Sequence, residues 1–167
     1  MSADTEGQAR KRTMTMLQAH RIESLEKNPS WSHSDWGLKT IDSWLSKMSI
    51  GRTLNVCCGN CPVGDVRVDI DPSTSRTMEG DLFALPFPHQ SFDTVICDPP
   101  FSYYNRFRWV IKLSHLARRR LILSTSLTEP KLIKREWERE LYYFSSNGGT
   151  QFLRLYWVFD RRNQNLP

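Results

Sequence analysis

Three short apolar runs in this chain end in polar or glycine- and proline-rich segments: Cys58-Gly59-Asn60, Asp69-Ile70-Asp71-Pro72 and Asp98-Pro99-Pro100-Phe101. Each segment suits a different part of a ligand. Gly59 has no Cβ, so the backbone there can approach a bound molecule closely. An acid just after a strand can accept two hydrogen bonds from ribose hydroxyls, although in other contexts it is only a helix cap. No GxGxxG and no GxxxxGKS/T occurs, and the stretch from Gly59 to Val66 has no room for an ordinary helix whose N-terminus would hold pyrophosphate. A nucleoside ligand without a phosphate therefore fits better than NAD or ATP.

These segments need strands to present them. Thr53-Leu-Asn-Val-Cys-Cys58, Val66-Arg-Val-Asp-Ile70, Phe92-Asp-Thr-Val-Ile-Cys97 and Leu121-Ile-Leu-Ser-Thr125 read as buried strands, bounded by glycine, proline or acid. Between them the period changes. Leu38, Ile41, Trp44, Leu45 and Met48 recur at helical spacing, with Ser34 or Asp35 as cap and Gly51 as stop. A helix over about 105–119 carries Phe107, Val110, Ile111, Ser114 and Ala117 on one face. Another is expected after Thr128, with Pro130 in its first turn and Leu132, Ile133, Trp137 and Leu141 as its stripe. The chain then closes as a β-hairpin: 141–144, a turn at 145–149, and 152–159.

Strands alternating with helices predict an α/β fold with a mostly parallel, twisted sheet covered on both faces, and the hairpin adds an antiparallel edge. In such a sheet, ligands bind beyond the carboxyl ends of the strands at the switch point of strand order, where the three polar segments belong. Residues 1–30 are polar, and Met14, Leu17, Ile22 and Leu25 hint at a helix there. The expected organisation is a polar, partly helical extension over 1–30 and one domain over 31–167.

Composition limits the function classes. A length of 167 residues with 39% apolar and 25% charged side chains describes one globular domain and excludes wholesale disorder or coiled coil. No run approaches the roughly 18 apolar residues of a membrane span, and the start MSADTEGQARKR lacks the apolar core of a secretory signal. The expectation is a cytoplasmic protein in a reducing compartment, with no membrane partner. Lys and Arg number 23 against 18 Asp and Glu, a net charge of +5, compatible with a polyanionic partner. Cys57, Cys58, Cys61 and Cys97 lie in or beside apolar runs; with no second paired cluster and no His at ligand spacing, they read as buried thiols, and no metal site is expected.

Taken in order, Leu54-Asn-Val-Cys-Cys-Gly-Asn60, Val68-Asp-Ile-Asp-Pro72, Gly80-Asp81-Leu82 and the run from Leu85 to Asp98-Pro-Pro-Phe101 resemble a class I S-adenosylmethionine-dependent methyltransferase over about residues 50–160. Asp98-Pro99-Pro100-Phe101 resembles the (D/N)PP(Y/F/W) signature of the members that methylate a planar amino nitrogen. The resemblance implies a single Rossmann-like domain, with a shortened helix after the first strand, and S-adenosyl-L-methionine as cofactor. By position, Gly59 and Asn60 with the backbone of Cys57 and Cys58 face the methionine end. Asn55 stands where the family usually has an acid in the first strand and counts among the cofactor residues; Cys57 and Cys61 replace two of the usual loop glycines. Asp69, with Asp71 as second candidate, takes the ribose, and Asp81 and Leu82 hold the adenine. Asp98 and the Pro99 carbonyl accept from the target amine, Pro100 stiffens the turn and Phe101 stacks on a flipped base.

The chemistry so implied has a physical basis. The lone pair of an exocyclic amine is delocalised into its ring. Two acceptors on its N–H bonds favour a pyramidal nitrogen whose lone pair can reach the methyl carbon, and rigid prolines keep those acceptors in place. Tyr103, Tyr104, Arg106 and Arg108 follow the tetrapeptide and are candidates for base stacking and phosphate contact. The implied substrate is a nucleobase amino group in nucleic acid, adenine N6 first, with RNA slightly ahead of DNA because little chain remains for sequence recognition. A homodimer or partner chain could supply that recognition. Alternatives are a DNA adenine enzyme with a minimal recognition segment, a protein-glutamine N-methyltransferase, or a non-catalytic nucleic-acid-binding module.

Overall fold

Two periodicities, alternation in the strands and a three-to-four spacing in the helices, build one sheet with a helix on each side. A computed structural model of the chain describes residues 19–21, 38–100, 108–125, 130, 137–145 and 153–162. Its elements are β1 (Ala19–Arg21), α1 (Leu38–Met48), β2 (Thr53–Val56), β3 (Val66–Asp69), β4 (Met78–Glu79), β5 (Phe92–Cys97), α2 (Arg108–Leu116), β6 (Ala117–Thr125), β7 (Trp137–Ser145) and β8 (Leu153–Arg161). The eight strands lie in the order β1-β7-β8-β6-β5-β2-β3-β4. β8 runs antiparallel to both its neighbours, and every other pairing is parallel. This is the mostly parallel α/β sheet with a terminal hairpin that the pattern predicts, except that the antiparallel strand β8 lies inside the sheet between β6 and β7 rather than at its edge.

Neighbouring residues of the central strands feed two separate cores. Val95, Cys97, Leu121, Leu123, Trp157 and Phe159 pack with Trp109, Val110 and Leu113 of α2. Ile96, Ile122, Tyr156 and Val158 pack on the other face with Ile41 and Leu45 of α1. Burial on both faces explains why these strands read as continuous apolar runs. Each fully buried Leu or Ile contributes about 1.5–3 kcal/mol relative to exposure.

Connectivity places the site. From β2 the chain moves outward through β3 and β4, then returns to β5 on the other side of β2. The β2/β5 seam is therefore the switch point, and Cys57 and Asp98 follow directly at the carboxyl ends of its two strands.

Several expectations need correction. Residues 57–65 form no helix at all, not even a short one. Instead the segment folds back on β2: the Asn55 Nδ2 donates to the Val63 carbonyl at 2.9 Å, and the Asp65 Oδ2 accepts from the Thr53 amide at 2.7 Å. Gly59, Pro62 and Gly64 leave no helix-forming stretch between the two strands. Trp137 and Leu141 belong to β7 rather than to a helical stripe. A spacing of four puts two residues on one face of a strand as well as of a helix, so those two positions fit both. Thr128, Leu132 and Ile133 lie outside the described residues. The second helix ends at Leu116, and Ala117 already opens β6. Ala19–Arg21, inside the region read as weakly helical, is a strand paired in parallel with β7, and its His20 stacks on Tyr142 at 5.0 Å. Among the described residues no helix is long and apolar enough to cross a membrane.

Candidate functional site

A cavity of about 450 Å³ opens beyond the carboxyl ends of β2, β3 and β5. Its lining is Cys57, Gly59, Asp69, Ile70, Asp71, Thr74, Gly80, Asp81, Leu82, Asp98, Pro99, Pro100 and Arg154. The size falls in the range of small-molecule sites. All three polar segments singled out in the sequence contribute to it. A depression of about 510 Å³ between α1 and the 62–65 segment contains none of them.

The bend after β2 is built from two left-handed residues, Cys57 at φ 55° and Gly59 at φ 51°. Cys57 occupies a conformation that glycine adopts freely and other residues rarely do. Its thiol hydrogen-bonds with that of fully buried Cys97, whose proton affinity is pushed well above the ordinary thiol value, first by burial and then by Cys57. Cys61 is pushed up to about 12, mainly by burial. All four cysteines are free, and among the described residues no group of three or more His, Cys, Asp or Glu is arranged to hold a metal ion.

Asp69 organises the floor. Its Oδ2 accepts from the Gly59 amide at 2.8 Å and its Oδ1 from the Asp71 amide at 3.0 Å. A carboxylate has about four lone-pair positions, so two amides leave capacity for a ligand. Asp71 accepts from the amide and the hydroxyl of Ser73 at 2.8 and 2.7 Å, and these bonds hold its carboxyl below the ordinary value. Asp81 caps the next turn through the Phe83 amide at 2.9 Å, while Leu82 is buried beneath it.

Asp98 sits at the opposite wall. Arg154 of β8 pairs with its Oδ2, and the Ser124 hydroxyl of β6 also hydrogen-bonds to it. Burial raises the carboxyl above the ordinary Asp value and outweighs the opposing pull of Arg154 and Ser124. Pro99 is buried and Pro100 exposed. Four carboxylates against a single guanidinium give this cavity a negative field, and the Gly59 amide is already consumed by Asp69. A phosphate would meet repulsion here, whereas a cation is attracted.

Not every candidate is brought to the cavity. Asn55 is buried at 2% exposure, committed to Val63, and is not among the lining residues. Cys58 is buried, and the Asn60 side chain turns to the Ser75 amide. Arg108 is exposed at the start of α2. Phe101, Tyr103, Tyr104 and Arg106 lie outside the described residues.

Arg154 escaped the sequence reading. Its signal was present: it is the one charge within the apolar run Phe152-Leu-Arg-Leu-Tyr-Trp-Val-Phe159. A cation inside a buried strand needs an anionic partner, and the chain offers one at Asp98.

No protein-family model matches the chain, and no curated protein does. Solved structures do. TrmN from Thermus thermophilus superposes with a TM-score of 0.54 at 14% identity, over 73% of this chain and 48% of that one. The chain thus spans about half the length of TrmN. A SAM-dependent methyltransferase from Thermotoga maritima matches with a TM-score of 0.54 at 10% identity, covering 78% and 95% of the two chains. A chain of the Haloferax volcanii complex between the Trm112 methyltransferase activator and a methyltransferase gives 0.55 at 12% identity, covering 79% and 91%. At these identities the likeness is one of fold, and the fold is the Rossmann-like one of class I methyltransferases.

Proposed function

We propose that the chain is an S-adenosylmethionine-dependent N-methyltransferase acting on the exocyclic amino group of a nucleobase in nucleic acid, adenine N6 first and RNA ahead of DNA. One observation carries this reading: an acidic cavity without a phosphate cradle lies at the switch point, with Asp69 on one wall and the Asp98-Pro99-Pro100 segment on the other. The donor is a cation at both its sulfonium and its amino group, and its nucleoside carries no phosphate. Four carboxylates suit it, as they would not suit NAD or ATP.

In this reading Asp69 accepts from the ribose hydroxyls, with Asp71 as the second candidate, and Asp81 and Leu82 hold the adenine. Cys57 and Gly59 meet the methionine end, while Cys58 and Asn60 brace the bend behind them and Asn55 anchors the segment that carries them. When bound, the cofactor supplies an electrophilic methyl group on a positively charged sulfur. Asp98 and the Pro99 carbonyl accept the two amine N–H bonds and hold the nitrogen lone pair toward that carbon. The bound cofactor would give up that methyl group to the nitrogen lone pair and keep the C–S bond electrons on its sulfur, leaving the amine with a proton to lose. Asp98, whose proton affinity burial has raised, then suits the proton that the product ammonium sheds. Phe101 stacks on the everted base, and Tyr103, Tyr104, Arg106 and Arg108 contact the strand. A partner chain or second copy supplies further recognition.

The test is nucleoside mass spectrometry after incubating the purified chain with S-adenosylmethionine and pooled RNA or DNA, with the Asp98→Ala variant in parallel. Methylated adenine that depends on Asp98 supports the reading. Methylated protein glutamine instead would replace the substrate. Absence of any stabilisation by S-adenosylhomocysteine would leave only a non-catalytic module.

A further inference from the structure

We infer that Arg154 is a positioning residue for amine methylation: from the terminal hairpin it reaches past β6 to the cavity wall, pairs with one oxygen of Asp98 and orients the carboxylate toward the target amine. The inference rests on the proposed role of Asp98. Its geometry stands independently. Arg154 and Asp98 are 56 residues apart in sequence, line one cavity and form an ion pair. Both side chains keep more than a quarter of their surface exposed, so the pair faces the cavity rather than the core.

The hairpin is what delivers the guanidinium. Arg154 pairs with Phe144 in the β7/β8 ladder, while Ser124 on β6 lies opposite Tyr156 on β8. Arg154 also lies over the Tyr156 ring, 5.9 Å from its centroid, which limits its travel. Asp98 is thus gripped by donors from two adjacent strands, one charged and one neutral. A carboxylate held by two donors from different strands, one of them a guanidinium, loses freedom to rotate, and its remaining lone pairs then have narrower directions.

The pair also answers a chemical conflict. A wall that excludes water favours the neutral acid, and a neutral carboxyl is the poorer acceptor for an amine N–H. The groups around Asp98 are Arg154 from β8, the Ser124 hydroxyl from β6, the Cys97 thiol from its own strand, and, across the cavity, Cys57, Asp69, Asp71 and Asp81. Arg154 is the only cation in that set. Without it, every remaining charge among these described groups disfavours the carboxylate.

The experiment compares the full chain with Arg154→Gln and Arg154→Lys. The Asp98 carboxyl carbon is followed by 13C NMR over a pH series, assigned with Asp98→Asn, and methyl transfer to RNA is measured over the same series. In Arg154→Gln the proton affinity of Asp98 rises about tenfold or more, the scale of one lost opposite charge, and the acid limb of kcat moves with it. Arg154→Lys restores most of the ionisation but less of kcat, because an ammonium restrains the carboxylate's rotation less than a guanidinium does. An unchanged Asp98 titration in Arg154→Gln overturns the inference, as does a titration that moves while the acid limb stays. A higher kcat in Arg154→Gln across the range also overturns it, since the guanidinium would then be competing with the amine. If the titration responds as expected but no nucleic acid is methylated at any pH, the grip on Asp98 stands and the substrate reading fails.

Discussion

The Gly59 amide donates to Asp69 Oδ2 at 2.8 Å, joining the bend after β2 to the end of β3 across 10 residues of sequence. In dinucleotide-binding folds a helix follows that bend and its first amides face a pyrophosphate. Here no helix follows, and the bend amide is satisfied by a carboxylate. One bond therefore both shapes the loop and removes the donor that a phosphate would need. Asp69 is thus a structural brace, and on the proposed reading its remaining lone pairs also serve the ligand.

Asp69→Ala should show both roles. It strips acceptors from the part-buried Gly59 amide and the exposed Asp71 amide, at a cost of up to about 1–3 kcal/mol for the first and little for the second, which water can satisfy. The stabilisation that S-adenosylhomocysteine gives the parent in a thermal-shift titration should disappear, while Asp81→Ala, whose carboxylate caps an exposed turn, should lose less stability. Full retention of ligand stabilisation in Asp69→Ala would remove Asp69 from the site.

Asn55→Asp introduces the acid that the methyltransferase resemblance implies for the first strand, yet it should harm this chain. The Asn55 amide donates to the Val63 carbonyl at 2.9 Å from a position 2% exposed. An ionised Asp there has no proton to donate and faces a carbonyl oxygen, a loss of at least about 1–3 kcal/mol at neutral pH. Burial raises the proton affinity of the introduced acid above its unfolded value, so the variant should be least harmed below the unfolded value and lose stability as pH rises through the window above it. Urea denaturation at several pH values measures this. A penalty independent of pH would show that the introduced acid stays solvated.

The contrast between Asn55 and Cys57 shows how far the sequence carries. Cys57 adopts the same left-handed backbone as Gly59 two residues on, so the bend that the Cys58-Gly59-Asn60 segment predicts is present. Asn55 was aligned with a ligand acid, but its partner is set by the 57–65 segment, whose path depends on contacts eight to twelve residues away. The parallel core strands were readable because both their faces are buried and their apolar runs are unbroken. Trp137 and Leu141 were not, since a spacing of four satisfies either period. Arg154 was invisible as a site residue because its partner lies 56 residues back, a tertiary fact that no local pattern states.

Gly51→Ala should be destabilising for two separable reasons. Gly51 has φ +58°, where an L-residue costs roughly 1–2 kcal/mol. A Cβ there would also stand 2.5 Å from the Asp93 Oδ2, which accepts from the Arg52 amide at 3.0 Å while the other carboxylate oxygen pairs with Arg118. Adding Asp93→Ala removes the two carboxylate contacts but leaves the Cβ of residue 93 at 3.0 Å and the backbone strain. The double variant should therefore lose less than the sum of the single losses, measured as a double-mutant cycle in urea. Strict additivity would mean that the carboxylate simply moves aside.

Asp98 sets two effects against each other, and thermal unfolding from pH 4 to 8 can say which wins. Burial raises its proton affinity, while Arg154 and Ser124 lower it, and burial is the larger. The folded chain then holds this proton more tightly than the unfolded chain, whose Asp titrates near 3.8. Stability from this group is greatest below that value and declines as pH rises toward the folded value, because the native state binds more protons in that window. Asp98→Asn cannot titrate and lacks this decline. Removing the carboxylate also weakens the grip on Arg154, a loss that is present throughout. The Tm difference between Asp98→Asn and the parent should therefore drift in favour of Asp98→Asn as pH increases, whatever its starting sign. A drift the other way would mean that Arg154 outweighs burial and that the carboxylate is a net stabilising anion.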